Sequence, residues 1–497
     1  MPAARRSLRH LTTSLLLTLS AAAQTLPSGA SLTDAPPSNL AQPPLTPAAA
    51  QATSATGEAA LARVPAVRVQ RPGMVVPGTP AEYNASITVR YGPARPRAVL
   101  LLMPGFLGGA GSFDRLARQL VALDPQLAVW AVDRRSNLLE PQAALARAAP
   151  ADLAVIAREG LPVRPGDSVA FMRDWGLDVT LRDWRVAVRE ARTLTPDVFL
   201  GGHSLGGSLS GLYAAYDFSG YVGATDLRGL VMLDGLPGIL ADRPMNADQY
   251  RQGGVNAMGP LPGLAQLGSQ PYVDSGIFGP KLAAQADAQA RLAALHPDDL
   301  APTGGLTRFP ATNLAAGLLQ LEDRYALLPF LTLHTGAPTN AIEAPSLAAL
   351  ALGGRNSHWV VGPQDASRPV GWQGDPAAPT DGLDFVRRYW TPLSDYSEWY
   401  FPNRLTLDVA AVKSGTRGTP FESDMRVWYT QQLRLPILGI AAQNGVTREE
   451  MYRTYAAGTH ATLTTHTLPG ATHLDIVAAR SDQVARWILD WMRPLRR

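Results

Sequence analysis

Residues 197–211 read Asp-Val-Phe-Leu-Gly-Gly-His-Ser-Leu-Gly-Gly-Ser-Leu-Ser-Gly. Val198-Phe199-Leu200 is a short apolar run of the kind that forms a buried strand. From Leu205 to Tyr216 small and apolar residues recur at helical spacing. Between them stands Gly202-His203-Ser204-Leu205-Gly206, so the stretch predicts strand, tight G-x-S-x-G turn and helix. In such a turn the central serine takes a strained backbone conformation, and side chains in place of the flanking glycines would collide with neighbouring backbone. Ser204 would then stand above the carboxyl end of a sheet, at the positive end of the following helix. It is the candidate nucleophile.

The strands on either side decide the fold class. Arg97–Met103 is a continuous apolar run after its leading arginine, Leu127–Val132 is apolar throughout, and Leu227–Leu233 and Leu435–Ala441 read as buried strands of the same kind. Continuous apolar strands are the mark of a parallel sheet buried on both faces. Helical patterns fall between them, at Ser112–Leu123, Val179–Arg192, Thr447–Ala457 and Ser481–Met492. An alternating strand, Ile87 to Tyr91, precedes this series, and Ala461–Leu468 is expected to be the last strand. The expected fold is α/β, a doubly wound and mostly parallel sheet. Residues 64–238 and 431–497 would form its two parts. Residues 239–430 would be a large inserted cap or lid, rich in Gly, Pro and aromatics, with helices near Ala283–Leu295 and Leu314–Leu328. Residues 136–176 show no strong period.

A serine hydroxyl needs a general base, and histidine is the usual one. Among eight histidines, His473 occupies the loop between the last strand and the last helix. Carboxyl ends of parallel strands open onto one edge, so that loop can reach Ser204. Developing negative charge needs backbone N–H donors. Leu205 at the start of its helix supplies one, and Phe106, after Pro104-Gly105 at the end of a strand, the other.

Pro104-Gly105-Phe106, Gly202-His203-Ser204-Leu205-Gly206 and a late His473, in that order, resemble the α/β-hydrolase superfamily in its lipase/esterase-like branch. The resemblance covers residues of roughly 80–240 and 430–497, and many members read His-Gly where this chain has Pro104-Gly105. It implies a third group, an acid. In most of the superfamily the acid follows the strand that here is Leu435–Ala441, but that loop holds Asn444, and an amide cannot stabilise an imidazolium as a carboxylate does. Some lipase-like members carry the acid one strand earlier, where this chain has Asp234. Asp234 is therefore the expected acid, with Glu449, Glu450 and Asp475 as fallbacks. Aromatic residues cluster at 389–401 in the insertion. Trp390, Trp399 and Tyr400, with His203 in the turn, are candidate substrate contacts suited to an apolar acyl or aryl group.

Composition narrows the setting. The chain has no cysteine, which excludes disulfides, thiolate metal sites and a lipidated N-terminus. Arg5, Arg6 and Arg9, the apolar run Leu11–Leu19 and Ala21-Ala22-Ala23 read as a cleavable export signal, residues 1–23, too short to span a bilayer. Residues 24–63, almost uncharged and rich in Ala, Pro, Ser and Thr, read as a disordered spacer. Of 44 basic and 41 acidic residues, three arginines leave with the signal, so the mature chain is near neutral and suggests no nucleic-acid partner. The expectation is an exported serine hydrolase cleaving small-molecule or lipid esters through an acyl-enzyme. It needs no cofactor or metal and has no permanent membrane anchor. A peptidase or amidase on the same residues, or a binding protein that keeps the fold without turnover, are the alternatives.

Overall fold

The computed structural model describes residues 57–236, 245–256, 259–275, 277–346, 358–389, 397–412 and 415–497. The expected export signal, residue Trp390 and most of the expected spacer lie outside them. Eight strands form one sheet: β1 (Ala66–Pro72), β2 (Ala85–Tyr91), β3 (Ala98–Met103), β4 (Leu127–Asp133), β5 (Val198–His203), β6 (Leu230–Leu233), β7 (Ile437–Ala442) and β8 (Leu463–Leu468). Their spatial order is β1-β2-β4-β3-β5-β6-β7-β8. β2 runs antiparallel to both of its neighbours, and every other pairing from β4 to β8 is parallel.

Every residue of β3, β4, β5, β6 and β7 is buried. Their side chains alternate between two cores, one on each face. Leu100, Leu102, Phe199, Val231 and Ile440 belong to one; Val99, Leu101, Leu200, Met232 and Ala441 belong to the other. Among the helices, α1 (Asp114–Leu123), α2 (Leu177–Leu194), α3 (Leu205–Ala215), α4 (Pro280–Leu295) and α5 (Gln483–Met492) matter most here. Leu116 and Leu120 of α1 and Val484 and Ile488 of α5 complete the first core. Leu181 and Trp184 of α2 and Leu209 and Leu212 of α3 complete the second. The fold is α/β with a mostly parallel, doubly wound sheet.

Register aligns the strand ends. Met103 pairs with Gly202, His203 with Leu233, and Leu233 with Ile440. The residues that follow β3, β5 and β6 therefore emerge side by side, and Ala442 pairs with Leu468 to bring the loop after β8 to the same edge.

Several elements differ from expectation. β1 is an edge strand, mostly exposed, and its alternation with arginines hid it in the sequence. A helix, Glu58–Ala62, lies inside the stretch read as spacer; Leu61 is buried and Glu58 pairs with Arg115 and Arg388. Residues 136–176 contain the helices Gln142–Arg147 and Pro150–Glu159. The helix expected at Leu314–Leu328 spans only Asn313–Leu318, because the backbone at Leu321 and Asp323 pairs with Leu333 instead of continuing the helix. The inserted segment packs into both cores: Leu321, Leu333 and Phe385 join the first, Phe401 and Leu405 the second.

Candidate active site

Ser204 is the hinge between β5 and α3, with φ 56° and ψ −123°. A non-glycine residue held there costs about 1–3 kcal/mol, and local bonds offset it. The Ser204 amide donates to the Leu233 carbonyl at 3.0 Å, and the Ser204 carbonyl accepts from Gly207 at 3.0 Å. The turn is so tight that a Cβ on Gly206 would stand 1.8 Å from the Met103 carbonyl oxygen, and one on Gly202 2.3 Å from the Gly206 backbone. The sequence requires glycine at both places for this reason.

Asp234 follows β6 immediately, again with positive φ, 43°. Its carboxylate is fully enclosed. Oδ1 accepts from the Thr447 hydroxyl at 2.7 Å and from the Thr447 and Ala442 amides; Oδ2 accepts from the Val446 amide at 2.9 Å and from His473 Nδ1 at 2.6 Å. Burial alone would raise its pKa, but the bonds from His473, Thr447 and Val446 outweigh it and hold the carboxyl below its usual range. The loop after β7 thus contributes amides to Asp234. Gly445 is required there, since its Cβ would stand 2.0 Å from Asp234 Oδ2. Asn444 hydrogen-bonds elsewhere: its amide bonds the Ala471 carbonyl and its side chain reaches Gly470.

His473 is buried in the loop after β8. That loop is fixed by Asp475, which accepts from the Thr472 amide and hydroxyl, and by the Thr332 carbonyl, which accepts from Leu474 and Thr472. His473 engages Asp234 through Nδ1, which leaves Nε2 as the ring nitrogen outside that bond. His203 lies against it: the ring centroids are 4.4 Å apart, and His203 Nε2 donates to the His473 carbonyl at 3.0 Å. Burial, aided by the neighbouring His473, lowers the His203 pKa and keeps it neutral.

Ser204, His203 and His473 share one cavity of about 350 Å³ with Phe106 and with Phe278, Leu282, Leu331 and Tyr389 of the insertion. Gly105 lies directly on the serine: a Cβ there would stand 2.9 Å from Ser204 Cβ and 3.4 Å from Oγ. Phe106 follows Gly105 in the chain and lines the cavity, and Leu205 follows Ser204 at the start of α3. The structure thus brings Ser204, Asp234, His473, His203, Phe106 and Leu205 together. It does not bring Trp399 or Tyr400 into this cavity. Trp399 Nε1 is bonded to Asp287 at 2.6 Å, and both aromatics line a separate groove with Leu139, Leu145 and Arg164. Their neighbours Ser397 and Glu398 bridge to Gly108 and Leu107 instead, and the two aromatics themselves are buried away from the cavity. The apolar wall missed in the sequence comes from residues 277–286 and 321–331, which carry no signal beyond hydrophobicity. Among the described residues no group of His, Asp and Glu is arranged to hold a metal ion, and no helix is long and apolar enough to cross a membrane.

No protein-family model and no curated protein sequence matches the chain. Among solved structures, a Sulfolobus solfataricus protein assigned as a lipase is 13% identical, with 87% of this chain and 95% of that one covered and a TM-score of 0.47. Epoxide hydrolase A from Mycobacterium thermoresistibile is 13% identical over 86% and 98%, TM-score 0.40. Haloalkane dehalogenase DbeA from Bradyrhizobium elkani is 14% identical over 87% and 99%, TM-score 0.34. Likeness this distant says nothing of chemistry. The assignment rests on the mostly parallel sheet, the strand–G-x-S-x-G–helix turn at its centre and the order Ser204, Asp234, His473 along the chain: this protein has the α/β-hydrolase fold.

Proposed function

We propose that this protein is an exported serine hydrolase that cleaves carboxylic esters with an apolar acyl group. The observation that carries the reading is the 2.6 Å bond from His473 Nδ1 to a buried Asp234, beside Ser204 in one apolar cavity. Ser204 Oγ attacks the ester carbonyl carbon while His473 Nε2 takes its proton. Asp234 holds the imidazole in the required tautomer and offsets the charge that forms on it. The oxyanion lies between the Leu205 and Phe106 amides. Collapse of the tetrahedral intermediate expels the alcohol, protonated by His473, and leaves acyl-Ser204. Water, deprotonated by His473, then releases the carboxylic acid and restores the serine.

The cavity supports the acyl assignment. Its volume is at the lower end of about 300–1,000 Å³ for small-molecule sites, and apart from the histidines Glu398 is the sole ionisable carboxylate or base among its described lining residues. That carboxylate is already taken by Arg134 and Ser136. Export is supported by the leader-like residues 1–23. The test is hydrolysis of p-nitrophenyl esters from acetate to palmitate by wild type and S204A, together with fluorophosphonate labelling. Activity and labelling that vanish in S204A are expected; wild type inert towards every ester and unlabelled overturns the proposal.

A further inference from the structure

Four carbonyls of the 104–108 loop, those of Pro104, Gly105, Leu107 and Gly108, are each held by one of two residues outside that loop. Arg134, the first residue after β4, donates from Nη1 to the Pro104 carbonyl at 3.1 Å and from Nη2 to those of Gly105 and Gly108, both at 2.8 Å. The Leu107 carbonyl accepts from the Glu398 amide at 2.7 Å. Glu398 in turn accepts from Arg134 Nε at 2.6 Å and from the Ser136 hydroxyl. Both charged side chains are buried, at 4% and 0% exposure. Neither is tolerable there without the other, because an unpaired buried charge costs several kcal/mol.

A trans peptide is planar, with its C=O and N–H on opposite sides. Fixing the Gly105 carbonyl on Arg134 therefore fixes the Phe106 N–H facing away from Arg134. Gly105 itself is packed on Ser204, so the orientation of that single plane decides whether the N–H meets an oxyanion on the serine. Arg134 leaves the sheet next to the site, whereas Glu398 comes from the insertion, 264 residues further along the chain.

We propose that Arg134 and Glu398 are positioning residues for the Phe106 oxyanion donor, so that the inserted segment completes the catalytic geometry as well as roofing the cavity. This rests on the reading of Ser204 as the nucleophile. The test compares full-length wild type, E398Q and R134K on a p-nitrophenyl ester that wild type turns over. It also measures inhibition by an alkyl trifluoromethyl ketone, to whose carbonyl Ser204 adds to give a tetrahedral oxyanion. Since removing one oxyanion donor costs about 100- to 1,000-fold in kcat, misaligning one is expected to lower kcat in E398Q by about 10- to 100-fold, with KM nearly unchanged. Ketone affinity should fall in parallel. R134K should fall at least as far, because one ammonium cannot hold three carbonyls and a carboxylate in a fixed fork.

An undisturbed kcat in E398Q, or a raised KM with kcat and ketone affinity retained, overturns the inference and leaves the pair a purely structural tie. If E398Q loses the near-UV circular dichroism of the native fold, S136A carries the test, because it removes only one hydrogen bond to the carboxylate. A parallel drop in kcat and ketone affinity of about 2- to 10-fold, one hydrogen bond's worth, supports the proposal, and no change overturns it. Inert wild type overturns this inference together with the hydrolase reading; active wild type beside an unaffected E398Q overturns this inference alone.

Discussion

Asp234 and His473, 239 residues apart in sequence, meet in a 2.6 Å hydrogen bond at the carboxyl edge of the sheet. Asp234 stands after β6, and the loop after β7 supplies its amide donors. On this arrangement D234N should lose kcat by about 1,000- to 10,000-fold, the scale on which a triad acid sets the histidine tautomer. N444A, whose side chain reaches only Gly470, should stay within threefold of wild type. Steady-state kinetics on one p-nitrophenyl ester compares them. A D234N enzyme with near-normal kcat would move the acid elsewhere.

Gly445 makes a sharper test of the same site, because it leaves every ionisable group in place. Its Cβ would stand 2.0 Å from Asp234 Oδ2, so G445A must push the carboxylate off His473 or open the loop. The expected result is a drop in kcat of tenfold or more with a stability loss of about 1–3 kcal/mol, as for overpacking. G445A with wild-type kcat would show that Asp234 tolerates displacement and that its distance from His473 is not what sets the rate.

What was legible in the sequence is what local chemistry dictates. Strands buried on both faces must be apolar throughout, and that gave β3, β4, β5, β6 and β7. The glycines flanking Ser204 announce a turn that no other residue fits. Preferring Asp234 to the Asn444 loop takes the resemblance to lipase-like members that carry the acid one strand earlier, as well as the chemistry of carboxylate against amide. What was hidden depends on distant partners. β1 reads as polar because it is an edge, and Glu58–Ala62 is tied to arginines 57 and 330 residues away. Trp399 and Tyr400 look like ligand contacts by composition, yet they line another groove, next to the bridge between Gly108 and Ser397. Arg134 and Glu398 carry no motif at all; their pairing appears only once the insertion is laid on the 104–108 loop.

The cavity offers a substitution that changes specificity without touching the chemistry. Gly317 lies in the helix Asn313–Leu318 and lines the cavity, and a Cβ built on it meets nothing within 4 Å. G317A should therefore fold at least as stably as wild type, gaining about 0.5–1 kcal/mol of helix propensity. G317L should fill part of the space and shift the preferred acyl chain shorter. The ratio of kcat/KM for butyrate to that for decanoate reads the effect, and a 10-fold or greater rise is expected, since each excluded methylene is worth about 1 kcal/mol. An unchanged ratio would place the acyl group outside this cavity.

Asp475 should make stability depend on pH in a direction opposite to that of most carboxylates. It is buried where the His473 loop meets the insertion, accepting from Thr380 Oγ1 at 2.6 Å, the His334 amide at 3.2 Å, and the Thr472 amide and hydroxyl at 2.8 and 2.9 Å. Burial outweighs these donors and pushes its carboxyl up to about 6, against about 3.9 in an unfolded chain. Between those values the folded state binds more protons than the unfolded one, so stability falls as pH rises from about 4 to 6 and then levels off. At 1.36 kcal/mol per pH unit the loss is on the order of 3 kcal/mol at most. His334 beside it is raised by its bond to Glu322 and titrates above this window. Urea unfolding at pH 4, 5, 6 and 7 isolates the effect through D475N, which cannot titrate. Whatever constant offset the amide introduces, wild-type stability minus that of D475N should decline across pH 4–6 and stay flat from 6 to 7; a difference that is flat throughout, or that rises, would mean that Asp475 is ionised in the folded protein over the whole range.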